Sequence, residues 1–194
     1  MRAEFGLEDE DQLLLFIGSG FRTKGLARAL HGVAALPATL RAHTRLLAVG
    51  QDRADAFIAL ARRLGIADRV TIVTGRDDVP RLMLGADLLL HAAHAENTGA
   101  VLLEAMVAGL PVLTTDVCGF AHFVIDADAG VVLPSPFMQS AFDSTLQEML
   151  ASPRRAQWRA NGIAFAAHDE IYAMNDRAAD IILATAVARR ANAV

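Results

Sequence analysis

The 194-residue chain has a single cysteine, Cys118, so it has no internal disulfide and no metal site built from cysteines. It also lacks any apolar stretch of the roughly eighteen residues that a membrane-spanning helix needs. The longest candidate, Ala100 to Leu113, is interrupted by Glu104. The first residues, MRAEFGLEDEDQ, have neither the basic start nor the apolar run of a secretory signal. These scarcities together imply a cytoplasmic protein. Positive charge is not in excess: a net charge of -4 argues against broad, non-specific binding to nucleic acid, while leaving room for a local basic pocket. Lysine is the scarcest charged residue, since 17 of the 18 basic residues are arginine and only Lys24 is lysine. Either Lys24 is a remnant in an arginine-rich chain, or its site needs a compact ammonium rather than a planar fork. Composition alone leaves both open.

What the chain has is core-forming material, with 54% hydrophobic residues over a length suited to one domain. Short apolar runs alternate with amphipathic ones. Leu13 to Gly18, Arg45 to Val49, Arg69 to Val73, Asp87 to Leu90, Val112 to Thr115 and Gly130 to Leu133 read as strands. Between them lie helices carrying Leu26, Ala29, Leu30 and Val33, then Phe57, Ile58, Ala61 and Leu64 with Gly65 as the stop. A short helix is expected around Asp78 to Leu84, and another from Gly99 to Ala108. The tail reads as helical, with Phe142, Leu146, Met149 and Leu150 on one stripe and Ile171, Met174, Ala178, Ile181 and Ile182 on another. Continuous apolar strands alternating with helices predict an α/β Rossmann-like fold: a parallel sheet with helices on both faces. In such sheets ligands sit beyond the carboxyl ends of the strands, at the switch point.

The loops after the strands are therefore where chemistry is expected. Glu104 stands in the otherwise apolar helix Ala100 to Ala108, where an ionised carboxylate is costly unless it is hydrogen-bonded or on a solvent-facing stripe. The preceding loop, Glu96-Asn97-Thr98-Gly99, follows the fourth strand. Asn97 or Thr98 could cap the helix, and Gly99 would let a ligand approach its first N–H groups, which form a natural anion site. Glu96 and Glu104 would then flank a phosphate-sized space, which is the outline of a nucleotide-sugar. The first strand's loop, Gly18-Ser19-Gly20-Phe21-Arg22-Thr23-Lys24-Gly25, supplies Arg22 and Lys24 as counter-charge. It fails as a dinucleotide fingerprint because Thr23 replaces the third glycine, and as a Walker loop because Gly25 follows Lys24.

At these residues the chain resembles a family. Glu96, seven residues and Glu104, followed by Ala105-Met106-Val107-Ala108-Gly109-Leu110-Pro111-Val112, are similar to the signature of retaining glycosyltransferase family 4. The likeness extends through Ile17-Gly18, Lys24-Gly25, Ala48-Val49-Gly50, Val73-Thr74-Gly75-Arg76, Leu82 and Ala86-Asp87-Leu88, covering about Leu13 to Ile182. More narrowly, Gly18-Ser19, His91 and the segment PVLTTDVCGFAHF resemble the lipopolysaccharide core heptose glucosyltransferases.

The resemblance implies the C-terminal half of the two-domain fold called GT-B, with residues 1–194 as the donor-binding domain and an N-terminal acceptor domain outside this chain. It implies UDP-glucose as donor, retention of configuration, no metal, and a lipopolysaccharide core acceptor reached through the other domain. It also leaves open a peripheral association of the full enzyme with the inner face of the inner membrane. By position, Glu96 matches the glutamate that contacts the donor sugar and Lys24 the lysine that holds the diphosphate, so these two carry catalysis. Glu104 matches the acceptor of the ribose hydroxyls, Gly99, beside Thr98, the glycine whose neighbouring amides meet the phosphates, and Arg76 the segment whose backbone recognises the base. Gly18 lies at the turn. The family often has an arginine beside the lysine; here Thr23 is adjacent and Arg22 one step further back, so Arg22 is the uncertain member. On this reading the chain alone is nearly inactive.

Other readings carry less. Asp126-Ala127-Asp128 spells a metal-binding pattern of a different fold but reads here as a turn. His91 and His94 either line the pocket or are packed imidazoles, and Trp158 reads as a packing residue. Alternatives for the whole are a nucleotide-sugar 2-epimerase half, a non-catalytic nucleotide-binding module, and an NAD dehydrogenase. The last is weakened by Thr23 and by the absence of a clear acid ending the second strand.

Overall fold

A computed structural model of the chain describes residues 1–168 and 173–191. The elements run β1 (Gln12–Ile17), α1 (Leu26–Ala35), α2 (Ala38–Ala42), β2 (Thr44–Gly50), α3 (Asp55–Arg63), β3 (Val70–Thr74), α4 (Val79–Gly85) and β4 (Leu88–His91). They continue with α5 (Ala100–Val107), β5 (Val112–Thr115), α6 (Ala121–Asp126), β6 (Gly130–Leu133), α7 (Gln139–Ala151), α8 (Arg155–Ala166) and α9 (Met174–Ala191). The six strands form one sheet in the order β3-β2-β1-β4-β5-β6, and every pairing is parallel. This is the Rossmann-like arrangement expected from the alternating pattern, and its switch point lies between β1 and β4.

The sheet is covered on both faces because its strands are apolar on both. Leu14 and Phe16 of β1 pack into one cluster with Leu30, Phe142, Leu146 and Trp158. Leu13 and Leu15 of the same strand pack into the other, with Leu82, Leu102, Met106 and Val124. Burying side chains of this size stabilises each by about 1.5 to 3 kcal/mol, in keeping with the unbroken apolar run from Leu13 to Ile17. Trp158 is a packing residue, as expected, 4% exposed on α8. Gly65 stops α3 in the left-handed conformation (φ 71°) that glycine adopts without strain.

Three differences from the sequence reading are informative. The helices α2 and α6 were not expected; at 5 and 6 residues they are too short to show a periodicity. The strand read as ending at Gly18 ends at Ile17, because Gly18 turns the chain away at φ 134°. The second tail stripe is not a packed face: Ile181 and Ile182 of α9 are 68% and 67% exposed, while Ile171 lies outside the described residues. Amphipathic spacing shows that a helix can bury a face, but nothing among the described residues covers these two.

Candidate functional site

The loops leaving β1 and β4 meet beyond the carboxyl ends of those strands and are stitched together by the backbone. The His94 N–H donates to the Thr23 carbonyl at 2.7 Å. The Arg28 guanidinium donates to the carbonyls of Ala92 and Ala93 at 3.1 and 2.8 Å, and lies over the Phe137 ring. Gly25 (φ 82°) is required here twice over: it takes a left-handed conformation, and a Cβ on it would overlap the Ala92 carbonyl. The first loop is held from below by Asp52, whose carboxylate accepts the Phe21 N–H, while the Ser19 hydroxyl accepts the Gln51 N–H at 3.2 Å. Asp52 is thus the acid beyond β2, already engaged by the first loop. That arrangement does not favour the dehydrogenase reading.

Between these loops lies a crevice of about 260 Å³ lined by Ile17, Gly18, Lys24, His91, Glu96, Thr98, Gly99, Ala100 and Val101. It brings together five of the eight residues singled out from the sequence. The Lys24 ammonium is ion-paired with the Glu96 carboxylate across it. The Lys24 stem passes over Gly18, where an added Cβ would sit 3.7 Å from Cγ. Gly99 (φ 77°) is the N-cap of α5, and no side chain caps it, contrary to the expectation that Asn97 or Thr98 would do so. The Thr98 carbonyl instead accepts the Phe120 N–H at 2.7 Å, fixing the loop against the segment after β5. Glu96 also bridges to Cys118, which is buried. The result is one ammonium and an uncapped helix N-terminus facing a common space, an arrangement that suits an anion.

His91, the last residue of β4, is 1% exposed and lines the same crevice. Its Nε2 lies 3.4 Å from Glu96 Oε2, yet neither ring nitrogen completes a hydrogen bond among the described residues. Burial, with Lys24 adding to it, pushes its pKa down to about 4, so the ring is neutral near pH 7. Of the two expectations left open for His91, it lines the pocket. A lone histidine on an apolar strand gives no sequence signal beyond its place at the strand end.

Glu104, Arg76 and Arg22 lie elsewhere. Glu104 is exposed on α5, so its place in an apolar helix needs no compensating hydrogen bond; it sits on the solvent-facing stripe. It lines a second, mostly apolar cavity of about 530 Å³ with Val79, Pro80, Met83, Leu84, Val107 and Ala108. The Arg76 side chain turns to Asp78 at 2.7 and 2.8 Å and to Glu4 at 2.8 Å, and Arg81 joins both acids. Bonding to Asp78 and then Glu4 raises Arg76, while Arg76 and Arg81 hold Asp78 well below the usual carboxylate range. Arg76's backbone, not its side chain, is what remains for a ligand. Arg22 is exposed and does not line the Lys24 crevice. Of Asp126-Ala127-Asp128, Asp126 closes α6, and Ala127 and Asp128 form the turn expected before β6; Asp128 (φ 46°) accepts from Arg154 at 2.8 Å. No group of three or more metal-ligating side chains occurs among the described residues. No described helix is long and apolar enough to cross a membrane.

The family model for glycosyl transferases group 1 matches residues 1–165. The chain is 46% identical over 182 residues to the lipopolysaccharide glucosyltransferase WaaG of Escherichia coli (strain K12), covering 93% of this chain and 49% of that protein. It is 33% identical over 176 residues to a D-inositol 3-phosphate glycosyltransferase of Segniliparus rotundus, covering 86% of this chain and 38% of the relative. A crystal structure of WaaG, described as a glycosyltransferase involved in lipopolysaccharide biosynthesis, superposes with a TM-score of 0.89 at 45% identity, over 93% of this chain and 49% of that one. The chain therefore spans about half the length of WaaG, and less of the other relative.

Proposed function

The chain belongs to the glycosyl transferases group 1, and from that premise we propose that it is the donor-binding half of a two-domain retaining hexosyltransferase. The donor is UDP-glucose and the acceptor a lipopolysaccharide core, held by an N-terminal domain that lies outside this chain. The observation that carries the reading is the crevice at the β1–β4 switch point, where Lys24 and the uncapped N-terminus of α5 face one space beside Glu96. The similarity to WaaG supports the choice of sugar and acceptor.

In this scheme the diphosphate sits between the Lys24 ammonium and the first N–H groups of α5. As the glycosyl–oxygen bond breaks, negative charge grows on the departing diphosphate, and these groups, already oriented, stabilise it without a metal ion. Glu96 accepts hydrogen bonds from the sugar hydroxyls and orients the ring, while Glu104 takes the ribose hydroxyls and the backbone at Arg76 the base. The acceptor is brought by the other domain, so this chain alone binds donor and transfers little. The full enzyme works on the cytoplasmic side, at the inner face of the inner membrane. Calorimetry with UDP and UDP-glucose, with and without a chelator, tests this reading. Binding that survives chelation is expected; no binding, or binding abolished by the chelator, would contradict it.

A further inference from the structure

Among the described residues Lys24 is the one cation lining the crevice, and it is already committed to Glu96. A single ammonium cannot neutralise both a carboxylate and a diphosphate, and the diphosphate carries the greater charge. If a glycosyl diphosphate binds as proposed above, it competes with Glu96 for Lys24 and draws the ammonium toward itself. That carboxylate is only 13% exposed, so losing its partner without replacement would cost much of the binding energy.

The replacement stands beside it. His91 Nε2 is 3.4 Å from Glu96 Oε2, on a ring that is 1% exposed and, among the described residues, has no hydrogen-bond partner at either nitrogen. Buried polar groups are normally bonded, so an imidazole with both nitrogens idle beside a buried carboxylate points to a bond made in another state. The residue's backbone is fixed, since the Thr114 hydroxyl donates to the His91 carbonyl at 3.1 Å, and only a small side-chain movement is needed. A neutral ring has one N–H to give, and Nε2 is the nitrogen that faces Glu96.

We propose that His91 is a positioning residue that takes over the Glu96 carboxylate when a glycosyl diphosphate draws Lys24 away. The inference rests on the donor-binding reading and deepens it: the site exchanges one ion pair for another contact rather than opening an unpaired charge. Because His91 acts through Glu96, its effect must vanish when Glu96 is neutral.

The test is UDP affinity across a mutant cycle. His91→Asn, whose amide nitrogen reaches only the Nδ1 position, should weaken UDP binding roughly tenfold, the scale of one hydrogen bond to a charged group. His91→Gln, whose amide reaches the Nε2 position, should bind UDP like the parent. In a Glu96→Gln background, His91→Asn should have no effect. Parent-like UDP binding by His91→Asn, failure of glutamine to rescue, or the same loss in both backgrounds would overturn the proposal, the last showing a merely structural role. A parent chain that does not bind UDP at all would instead remove the donor-binding reading, and the proposal with it. Should His91→Asn not fold, nitrogen NMR of the imidazole reads the same exchange: UDP should shift the His91 Nε2 resonance in the parent and leave it in place in Glu96→Gln.

Discussion

Lys24 and Glu96, 72 residues apart in the chain, close an ion pair across the crevice between β1 and β4. The pair fills with protein charge the space that a diphosphate is proposed to occupy. Ligand binding is therefore a competition for Lys24.

Lys24→Arg keeps the charge but replaces a point ammonium by a longer planar fork. The lysine stem passes over Gly18, and the fork would have to fit where the ammonium now meets Glu96. UDP and UDP-glucose should bind tenfold or more weakly, in line with the loss of about 1.5 to 3 kcal/mol for a charged hydrogen bond, while uridine binding stays unchanged. Circular dichroism should show the fold intact. Parent-like UDP affinity in the variant would mean that the site does not need the ammonium, and Arg22 would become the better phosphate ligand.

Glu96→Gln and Glu104→Gln should move UDP affinity in opposite directions. Neutralising Glu96 removes the competitor for Lys24, so UDP should bind severalfold more tightly even as the sugar loses its charged acceptor. Neutralising Glu104 removes a ribose acceptor worth about 1.5 to 3 kcal/mol, so UDP should bind more weakly. Calorimetry on the two variants separates the roles, and a shift of the same sign in both would contradict the assignment.

His91 also sets an acid limit on stability. Its pKa falls from 6.5 to about 4 in the folded chain, chiefly through burial, so between those values the unfolded chain binds more protons. Stability should be full above about pH 6.5, fall as pH drops toward 4, and level off below it as far as this group is concerned. The shift corresponds to at most about 3 kcal/mol. His94, depressed by burial and then by Arg28 and Arg22, adds in the same direction. Denaturant midpoints measured from pH 7 to pH 4 should decline less steeply in His91→Gln; an unchanged slope would show that the imidazole is not buried as neutral.

How much of this was legible in the sequence varies by element. The strands were readable because both faces of the sheet are covered and each strand is an apolar run, so β5 and β6 fall at the residues expected. Lys24, Glu96 and Gly99 stood out because a scarce lysine, an acid and a glycine followed strand ends, where a parallel sheet gathers its ligands. Their pairing was not legible, since nothing in residues 18–25 specifies contact with residues 92–99. Glu104 misled in one respect: an acid in an apolar helix suggests a compensated charge, yet Val107 one turn on is 53% exposed, and the face they share opens onto a cavity. His91 was read only as a choice between pocket and packing, because its unmet hydrogen bonds are a property of its neighbours.

The most direct test of the central claim is a crystal structure of the chain with UDP bound. Diphosphate density is expected within hydrogen-bonding distance of Lys24 Nζ and the first N–H groups of α5, with Lys24 separated from Glu96. Diphosphate bound elsewhere on the molecule, or bound here with the Lys24–Glu96 pair intact, would contradict it.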